Sequence, residues 1–157
     1  MRKIQSGFTL IELVVVIAIL GILAAIALPR FANLQTEARI AKMNAAMGSL
    51  KAGAVLAHSI QLTQQLAASA DVTMEGAAVP MANGYPTSAL LSIGVAAGFV
   101  DVAGATIPGY VVAATDATTF TVTPDTSHTS CSVTYVVPTG AGLAPTYSNV
   151  NLTDNCS

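Results

Sequence analysis

A continuous apolar run near the N-terminus limits the folds that this chain can adopt. From Phe8 to Leu28 almost every residue is apolar, and Glu12 is the only charged side chain in the run. As a helix the run spans about 31 Å at about 1.5 Å per residue, which matches a bilayer core of about 30 Å. Arg2 and Lys3 precede it, and positive flanks stay in the cytoplasm. The sequence therefore predicts a membrane-spanning helix with the rest of the chain outside.

The composition indicates that much of the chain is shielded from water. Hydrophobic residues make up 53% of the 157 residues and charged residues 9%, against about 25% charged in an average soluble domain. The length suits one domain with a modest core. Net charge is -2, and no Lys/Arg run could follow a phosphate backbone, so there is no clear nucleic-acid site.

Two simpler interpretations of the run fit less well. A secretory signal peptide could be cut after "AIA" at residues 25–27, but the run is longer than a usual signal core, contains Glu12 and is followed by Pro29. In a plain membrane anchor Glu12 would have no function. This fits poorly, because a carboxylate at membrane depth costs about 2.5 to 3.5 kcal/mol and is usually retained for function.

The basic head ending in Gly7 and the stretch "FTLIELVVVIAILGILAAIALPRF" after it resemble the type IV pilin family. In that family a prepilin peptidase cuts after the glycine, and the new N-terminal phenylalanine is N-methylated. The resemblance implies cleavage between Gly7 and Phe8 and methylation of Phe8. It also implies that Glu12 pairs with the freed amine of Phe8 on an adjacent subunit, because an unpaired buried charge would be costly.

The close resemblance covers about the first third of the chain. The stretches "PRFANLQTEAR" from Pro29 and "NGYPTSALL" from Asn83 are similar to pilins of the mannose-sensitive haemagglutinin (MSHA) type more than to those of the twitching-motility type. Membership of the type IVa prepilins implies an α+β pilin fold. In it, a long kinked N-terminal helix packs on a small antiparallel β-sheet head.

The pattern after Pro29 predicts a helix to about Leu66. Because proline removes a backbone donor and disfavours helical geometry at Leu28, we expect a kink or local melting there, helped by Gly21. Two apolar stripes lie on nearly opposite sides of this helix. The small-residue stripe comprises Phe31, Leu34, Ala38, Ala41, Ala45, Gly48, Ala52, Val55, Ser59 and Leu62. The bulky stripe comprises Ile40, Met43, Met47, Leu50, Ala54 and Ala57.

A surface helix needs only one apolar face, and this helix has two. We interpret the bulky stripe as packing on the chain's own head and the small-residue stripe as packing on neighbouring helices. The pattern alone also fits a helix buried entirely within its own domain. A polar seam between the stripes comprises Arg30, Glu37, Asn44, Lys51 and His58. On this seam His58 is expected to be solvated.

The composition changes after about Ala68, where Gly, Pro, Thr, Ser and Val dominate. "MEGAAVPMANGYPTS" from Met74 predicts a loop and "SALLSIGVAAG" a short helix. "YVVAAT", "TFTVT" and "CSVTYVV" predict three or four antiparallel strands. Such a sheet laid on the second half of the helix completes an α+β head.

Cys131 and Cys156 are the only cysteines and lie in the part predicted to be outside the cytoplasm. An even count in an oxidising compartment favours a disulfide. The resemblance agrees, since many type IV pilins close a C-terminal loop this way. Free thiols or a metal pair fit less well, because neither His58 nor His128 has ligand spacing to the cysteines. We expect no metal and no cofactor.

The sequence contains no catalytic motif, and we predict that the chain is not an enzyme. The expected organisation is a cleaved leader (1–7), a transmembrane and polymerisation helix (8–28), the amphipathic second half of the helix (29–68) and a head (69–157). The predicted function is a structural subunit of a type IV pilus, for adhesion first and motility or DNA uptake second.

The expected partners are copies of itself in a helical homopolymer, the inner membrane before assembly, the prepilin peptidase and pilus assembly machinery, and host or other surface ligands. The expected location is the inner membrane of a Gram-negative-type cell and then the extracellular pilus.

Two alternatives remain. A pseudopilin of a type II secretion system usually has an acidic calcium-binding loop and no disulfide, and this tail shows the reverse. A membrane-anchored monomeric sugar-binding or hydrolytic domain would not need a helix with two apolar faces.

Overall fold

The computed structural model describes residues 7–149 and 152–157, without the side chain of Ala32. One helix, α1 (Leu10–Thr63), contains 54 residues and is about 81 Å long at about 1.5 Å per residue. It includes the whole apolar run after Thr9 and most of the stretch with two apolar stripes. The membrane-type segment and the head are therefore joined by a single element.

The helix continues through Pro29, so the predicted local melting does not occur. A proline inside a helix removes one N–H from the hydrogen-bond ladder. The hydrogen bonds of the turns on either side are sufficient to keep the backbone helical. A bend at Gly21 and Pro29 stays a prediction.

The helix ends at Thr63, slightly before the expected position. Gln64 donates its backbone N–H to Ile60 O, and Gln65 donates its own to Leu62 O. Gln65 takes a left-handed backbone with φ of 54°. The side-chain amide of Gln61 then donates to the carbonyls of Ala67 and Ala70 at 2.9 and 3.2 Å. This buried amide holds the turn that leads into the head.

Two hairpins follow where the sequence predicted a loop, so that prediction was wrong. Strands β1 (Val72–Met74) and β2 (Ala77–Val79) pair antiparallel, as do β3 (Met81–Ala82) and β4 (Tyr85–Pro86). The turns between them are Glu75-Gly76 and Asn83-Gly84, and all four residues have positive φ. Two-residue turns of this kind match the twist of hairpin strands, and Asn-Gly is their strongest sequence signal.

The main sheet has four antiparallel strands in the order β5-β6-β7-β8. They are β5 (Val111–Ala114), β6 (Thr119–Thr123), β7 (Val133–Val136) and β8 (Thr146–Asn149). A short helix with π-type turns, Leu90–Gly94, precedes the sheet, and one helical turn, Leu152–Asn155, follows it. The predicted α+β architecture is confirmed.

The core lies between the sheet and the bulky stripe of α1. From the helix it takes Met43, Leu50, Ala54 and Ala57, and from the sheet Phe120, Val122, Val133 and Tyr135, all fully buried. Burying one such large side chain contributes about 1.5 to 3 kcal/mol. The Tyr135 hydroxyl donates to Pro86 O at 2.5 Å, and burial raises the pKa of this phenol.

Basic side chains of α1 add polar contacts across the same interface. Lys42 donates to Pro124 O at 2.7 Å and lies 4.8 Å from the ring centroid of Tyr110. Lys51 lies 5.6 Å from the ring of Tyr147, whose pKa burial raises to about 12. Cations over aromatic faces are attracted by the ring quadrupole. These contacts fix the rotation of α1 against the head.

Candidate functional site

The N-terminus of α1 carries the predicted processing and assembly residues. Phe8 is 82% exposed, and Gly7 has open space around it. The remaining leader residues, with Arg2 and Lys3, lie outside the described residues. The predicted cleavage and methylation position is therefore placed on an extended, accessible segment just ahead of the helix.

Glu12 caps its own helix, a role that the sequence interpretation missed. Thr9 donates its backbone N–H and its hydroxyl to the Glu12 carboxylate at 2.9 and 2.6 Å, and the Glu12 N–H donates back to Thr9 Oγ1 at 3.3 Å. This reciprocal arrangement is a capping box, whose signal is a Thr followed three residues later by Glu. The pair satisfies helix N–H groups that would otherwise lack partners. The carboxylate thus has hydrogen-bond partners within one chain.

The first half of α1 is not covered by the described part of the head. Between Leu10 and Leu28 the large apolar side chains are 46–80% exposed. By length and composition this part of the helix could cross a membrane, and none of the most apolar window is buried within the chain. Gly21 and Pro29 also lie on this exposed part.

The two apolar stripes of the second half separate as predicted. Met43, Leu50, Ala54 and Ala57 of the bulky stripe are buried, and its other members, Ile40 and Met47, are half-buried. All members of the small-residue stripe are exposed: Phe31, Leu34, Ala38, Ala41, Ala45, Gly48, Ala52, Val55, Ser59 and Leu62. The alternative of a helix buried wholly in its own domain is therefore wrong. One apolar face of α1 is left uncovered by the residues that the structure describes.

His58 on the polar seam is half-buried, and the expectation that it is solvated was wrong. Its ring stacks on Tyr85 with centroids 4.3 Å apart and planes 10° apart. Its Nδ1 lies 2.6 Å from Gly84 O and donates to that carbonyl. The cause is the β3-β4 hairpin, which the sequence interpretation treated as a loop and which lies against this side of α1.

The disulfide between Cys131 and Cys156 is present, which confirms that prediction, and both residues are buried. Arg39 Nη1 donates to Cys156 O at 3.1 Å, so the closed tail is also held by α1. Asp125 accepts from His128 Nδ1 at 2.8 Å and lies 3.9 Å from Arg39 Nε. The hydrogen bond from His128, with backbone N–H donors, holds the pKa of Asp125 below its usual range.

These sites hold parts of the chain in place. Within residues 7–149 and 152–157, no group of three or more His, Cys, Asp or Glu side chains is placed to hold a metal ion. Asp116 accepts hydrogen bonds from Thr118 and Thr119, and those from Thr118 chiefly hold its pKa below the usual range. It closes the β5-β6 turn.

Comparison with known proteins bears on the N-terminal segment. Residues 2–28 match the model of the "Prokaryotic N-terminal methylation motif" family. The chain is 43% identical over 51 residues to the type IV major fimbrial protein FimA of Dichelobacter nodosus, which covers 32% of this chain and 33% of the relative. Over about a third of its length the chain is homologous to type IV pilins.

Other relatives of this pilin homologue are also fimbrial or pilin proteins and match it over a similar share of the chain. It is 52% identical over 56 residues to the fimbrial protein EcpB of Eikenella corrodens, covering 34% of this chain and 35% of the relative. It is 52% identical over 42 residues to the type IV major pilin protein PilE1 of Neisseria gonorrhoeae, covering 27% and 26%. The matches therefore span about a third of the relatives' length or less. No solved structure matches the chain, and the MSHA subtype stays a prediction.

Proposed function

We propose that this pilin homologue is a prepilin that becomes a structural subunit of an extracellular type IV pilus. Its parts would be the leader (1–7), the transmembrane and polymerisation helix (8–28), the second half of that helix (29–68) and the head (69–157). The prepilin peptidase would cut between Gly7 and Phe8 and leave Phe8 to be methylated. The role is structural and not catalytic.

The observation that carries this proposal is the uncovered apolar surface of α1. One helix exposes an apolar run and, continuous with it, the small-residue stripe. Soluble monomers rarely leave large contiguous apolar patches open to water. The inner membrane would cover the run in the precursor, and neighbouring helices would cover both surfaces in a fibre. The head would remain on the outside.

The composition of the small-residue stripe fits helix packing. Ala38, Ala41, Ala45 and Gly48 recur in alternating steps of three and four residues, the spacing at which helices pack along a common seam. Small side chains also let two backbones approach closely, as in helix pairs within membranes. A bulkier stripe would hold the helices farther apart.

The proposal gives Glu12 a second partner on assembly. In the precursor the capping box with Thr9 satisfies the carboxylate within one chain. In a fibre, where water is largely excluded, the freed amine of Phe8 on an adjacent subunit would supply the counter-charge. Such a pair favours one axial offset between subunits, because other offsets would leave a charge buried and unpaired.

Adhesion is the first role we propose for the fibre. The outward face of the main sheet carries Thr121, Thr134 and Ser148 on neighbouring strands in register. This face of the sheet is an uncharged, hydroxyl-rich patch suited to contact with other surfaces, whereas the carboxylates of the head lie outside the strands. Motility and DNA uptake come second.

The test is to shear surface material from cells that express the chain, image it by electron microscopy and determine the intact mass of its protein. We expect fibres whose subunit begins at methylated Phe8. Removing Arg2 and Lys3 leaves four basic against eight acidic side chains, a net charge of -4. Fibres that lack this protein, or an exported chain that keeps Met1 or begins near Leu28, would contradict the proposal.

A pair of variants separates assembly from folding. Ala45→Glu places a charge in the exposed small-residue stripe and should abolish fibres while the head stays folded. Ala113→Glu is the matched control, because Ala113 is also exposed but lies on the outward face of β5. Equal fibre yields from the two variants would show that the stripe is not an assembly surface.

A further inference from the structure

A groove lies beside α1 where the first hairpin approaches it. Its volume is about 410 Å³, and it is lined by Leu56 and Ile60 from the helix, by residues 73–75 and by residues 95–98. Leu56 is exposed and borders the small-residue stripe. The groove is therefore continuous with the face of α1 that the described part of the chain leaves exposed.

Glu75 lies at the edge of this groove. Its side chain is exposed and makes no hydrogen bond or ion pair with the described part of the chain. Its φ of 51° is a left-handed backbone that Asn or Gly adopts more readily. The hairpin turn thus presents a carboxylate where an uncharged residue would suit the backbone better.

The cations of α1 divide into two groups. Arg39, Lys42 and Lys51 all reach the head, through Cys156 O, Pro124 O and the Tyr147 ring. Arg30 is exposed and contacts no acid or carbonyl in the part of the chain that the structure describes. Arg30 lies on the polar seam. At about 100° of rotation per residue, Arg30 lies towards one edge of the exposed face of α1, and Leu56 and Ile60 lie towards the other edge.

We propose that Arg30 of one subunit pairs with Glu75 of a second copy of this chain. The start of the second half of α1, around Arg30 and Leu34, would then cover the groove of that neighbour. This rests on the proposed function and adds a contact with a different neighbour from the one that supplies the Phe8 amine, because Phe8 and Glu12 are only four residues, about 6 Å, apart along the helix. Its basis is the opposite charge of two residues that have no ion-pair partner among the described residues, and the continuity of the groove with the exposed stripe.

The positions of the two partners define the geometry. Leu56 and Ile60 lie 26 and 30 residues beyond Arg30, so the paired subunits are offset by about 40 to 45 Å along the helix at about 1.5 Å per residue. Arg30 and the groove lie on opposite edges of the exposed face. A contact between two different patches does not close on itself and generates an open helical filament. The subunit that is displaced towards the C-terminal end of its neighbour's helix contributes Arg30.

The first test is site-directed cross-linking of assembled fibres. Arg30→Cys and Glu75→Cys are combined in one chain whose native cysteines stay paired with each other, and sheared fibres are treated with a short bis-maleimide. We expect a ladder of covalent oligomers. The matched control, Glu37→Cys with Glu75→Cys, moves the first thiol about 10 Å along the same edge of the helix and should give at least about tenfold less ladder.

Charge reversal provides the second test. Arg30→Glu and Glu75→Arg should each lower fibre yield, and the double variant should restore it, because a swapped pair keeps the attraction. Fibres of the double-cysteine variant without a ladder, or no recovery in the swapped pair, would overturn the contact while leaving the fibre intact. A wild-type chain that forms no fibres would instead overturn the proposed function.

Discussion

Glu12 shows how one residue can serve two partners. Within the chain its carboxylate accepts from Thr9 twice, which makes an acid tolerable at the start of an apolar helix. The same oxygens lie on the exposed surface of α1 and remain accessible to a cation from another chain. The capping role and the proposed assembly role can be separated because only the second requires a charge.

The variant Glu12→Gln should therefore keep the helix start but lose assembly. A glutamine at this position can still accept from the Thr9 N–H, whereas the amine of Phe8 in a neighbour would be buried without a counter-charge. We expect at least about tenfold less sheared fibre, a factor equivalent to about 1.4 kcal/mol, with mature subunit retained in the membrane fraction. Quantitative immunoblots of the two fractions provide the measurement.

Thr9→Ala is the matched control for this prediction. It removes the hydroxyl of the capping box and keeps the carboxylate. Normal fibre yield from Thr9→Ala together with loss in Glu12→Gln supports the pairing between subunits. Equal loss in both variants would show that Glu12 acts only as a cap.

Asp125 gives the head a dependence on acid pH. The hydrogen bond from His128 lowers the pKa of this carboxyl below its ordinary value of 3.8. A carboxyl with a lowered pKa stabilises the fold above the unfolded-state value, and the contribution is lost as the pH falls through the folded-state value. The melting temperature of the head should thus fall below about pH 4, and less steeply in Asp125→Asn. Identical pH profiles for the two proteins would refute this.

At the scale of elements, one close contact of α1 was not evident from the sequence. Gly53 lies on the buried side, and a Cβ added there would meet Ala96 C at 2.6 Å and Ala97 Cα at 2.8 Å. These are backbone atoms, which cannot move aside as a flexible side chain can. A glycine inside a helix weakens it, so its presence indicated a packing reason, but nothing in the sequence pointed to Ala96 as the neighbour.

We predict that Gly53→Ala destabilises the chain by about 1 to 3 kcal/mol, the usual cost of overpacking. Gly48→Ala is the control, because Gly48 is exposed with no atom within 4 Å of an added Cβ. That variant should stabilise the fold by up to about 1 kcal/mol, the difference in helix propensity. Chemical denaturation measures both changes, and changes of the same sign would contradict the packing argument.

The disulfide is the second device that holds an element in place. It joins Cys131 to Cys156 across 25 residues, and closing such a loop contributes about 3 to 4 kcal/mol in the chain-entropy model. Cys131→Ser should lower the free energy of unfolding by about this amount and reduce fibre yield. Alkylation of the native protein without reductant should label neither thiol. Labelling of both would show that the bond does not form in the cell.

At the scale of the whole molecule, patterns of hydrophobicity predicted more than local composition did. The two stripes of α1 were assigned to opposite faces because periodicity reports directly which side chains share a face. The strands of the main sheet were evident from Val, Thr and aromatic residues. The β1-β2 and β3-β4 hairpins were missed because Gly, Pro and Asn mark both loops and tight turns, and strands of two or three residues have no period to detect.

The wrong expectation that His58 is solvated had the same cause, the missed β3-β4 hairpin. Its environment depends on the β3-β4 hairpin, which returns to α1 from a distant part of the sequence. Long-range contacts of this kind leave no periodic signal at the residue itself. The capping box at Thr9 and Glu12, in contrast, was readable from the sequence alone. It was overlooked because the charge of Glu12 suggested a partner outside the chain.

The inward direction of Arg39, Lys42 and Lys51 has a colloidal consequence for the proposed fibre. These cations are turned towards the head, so the outer surface of the fibre carries an excess of carboxylates. A filament would therefore behave as a polyanionic rod. Parallel rods of like charge repel over about 10 Å at 0.1 M salt. Filaments should therefore stay dispersed in dilute buffer and gather laterally when multivalent cations neutralise them. The concentration of multivalent cations around the cell would then determine whether its filaments are separate or form lateral bundles.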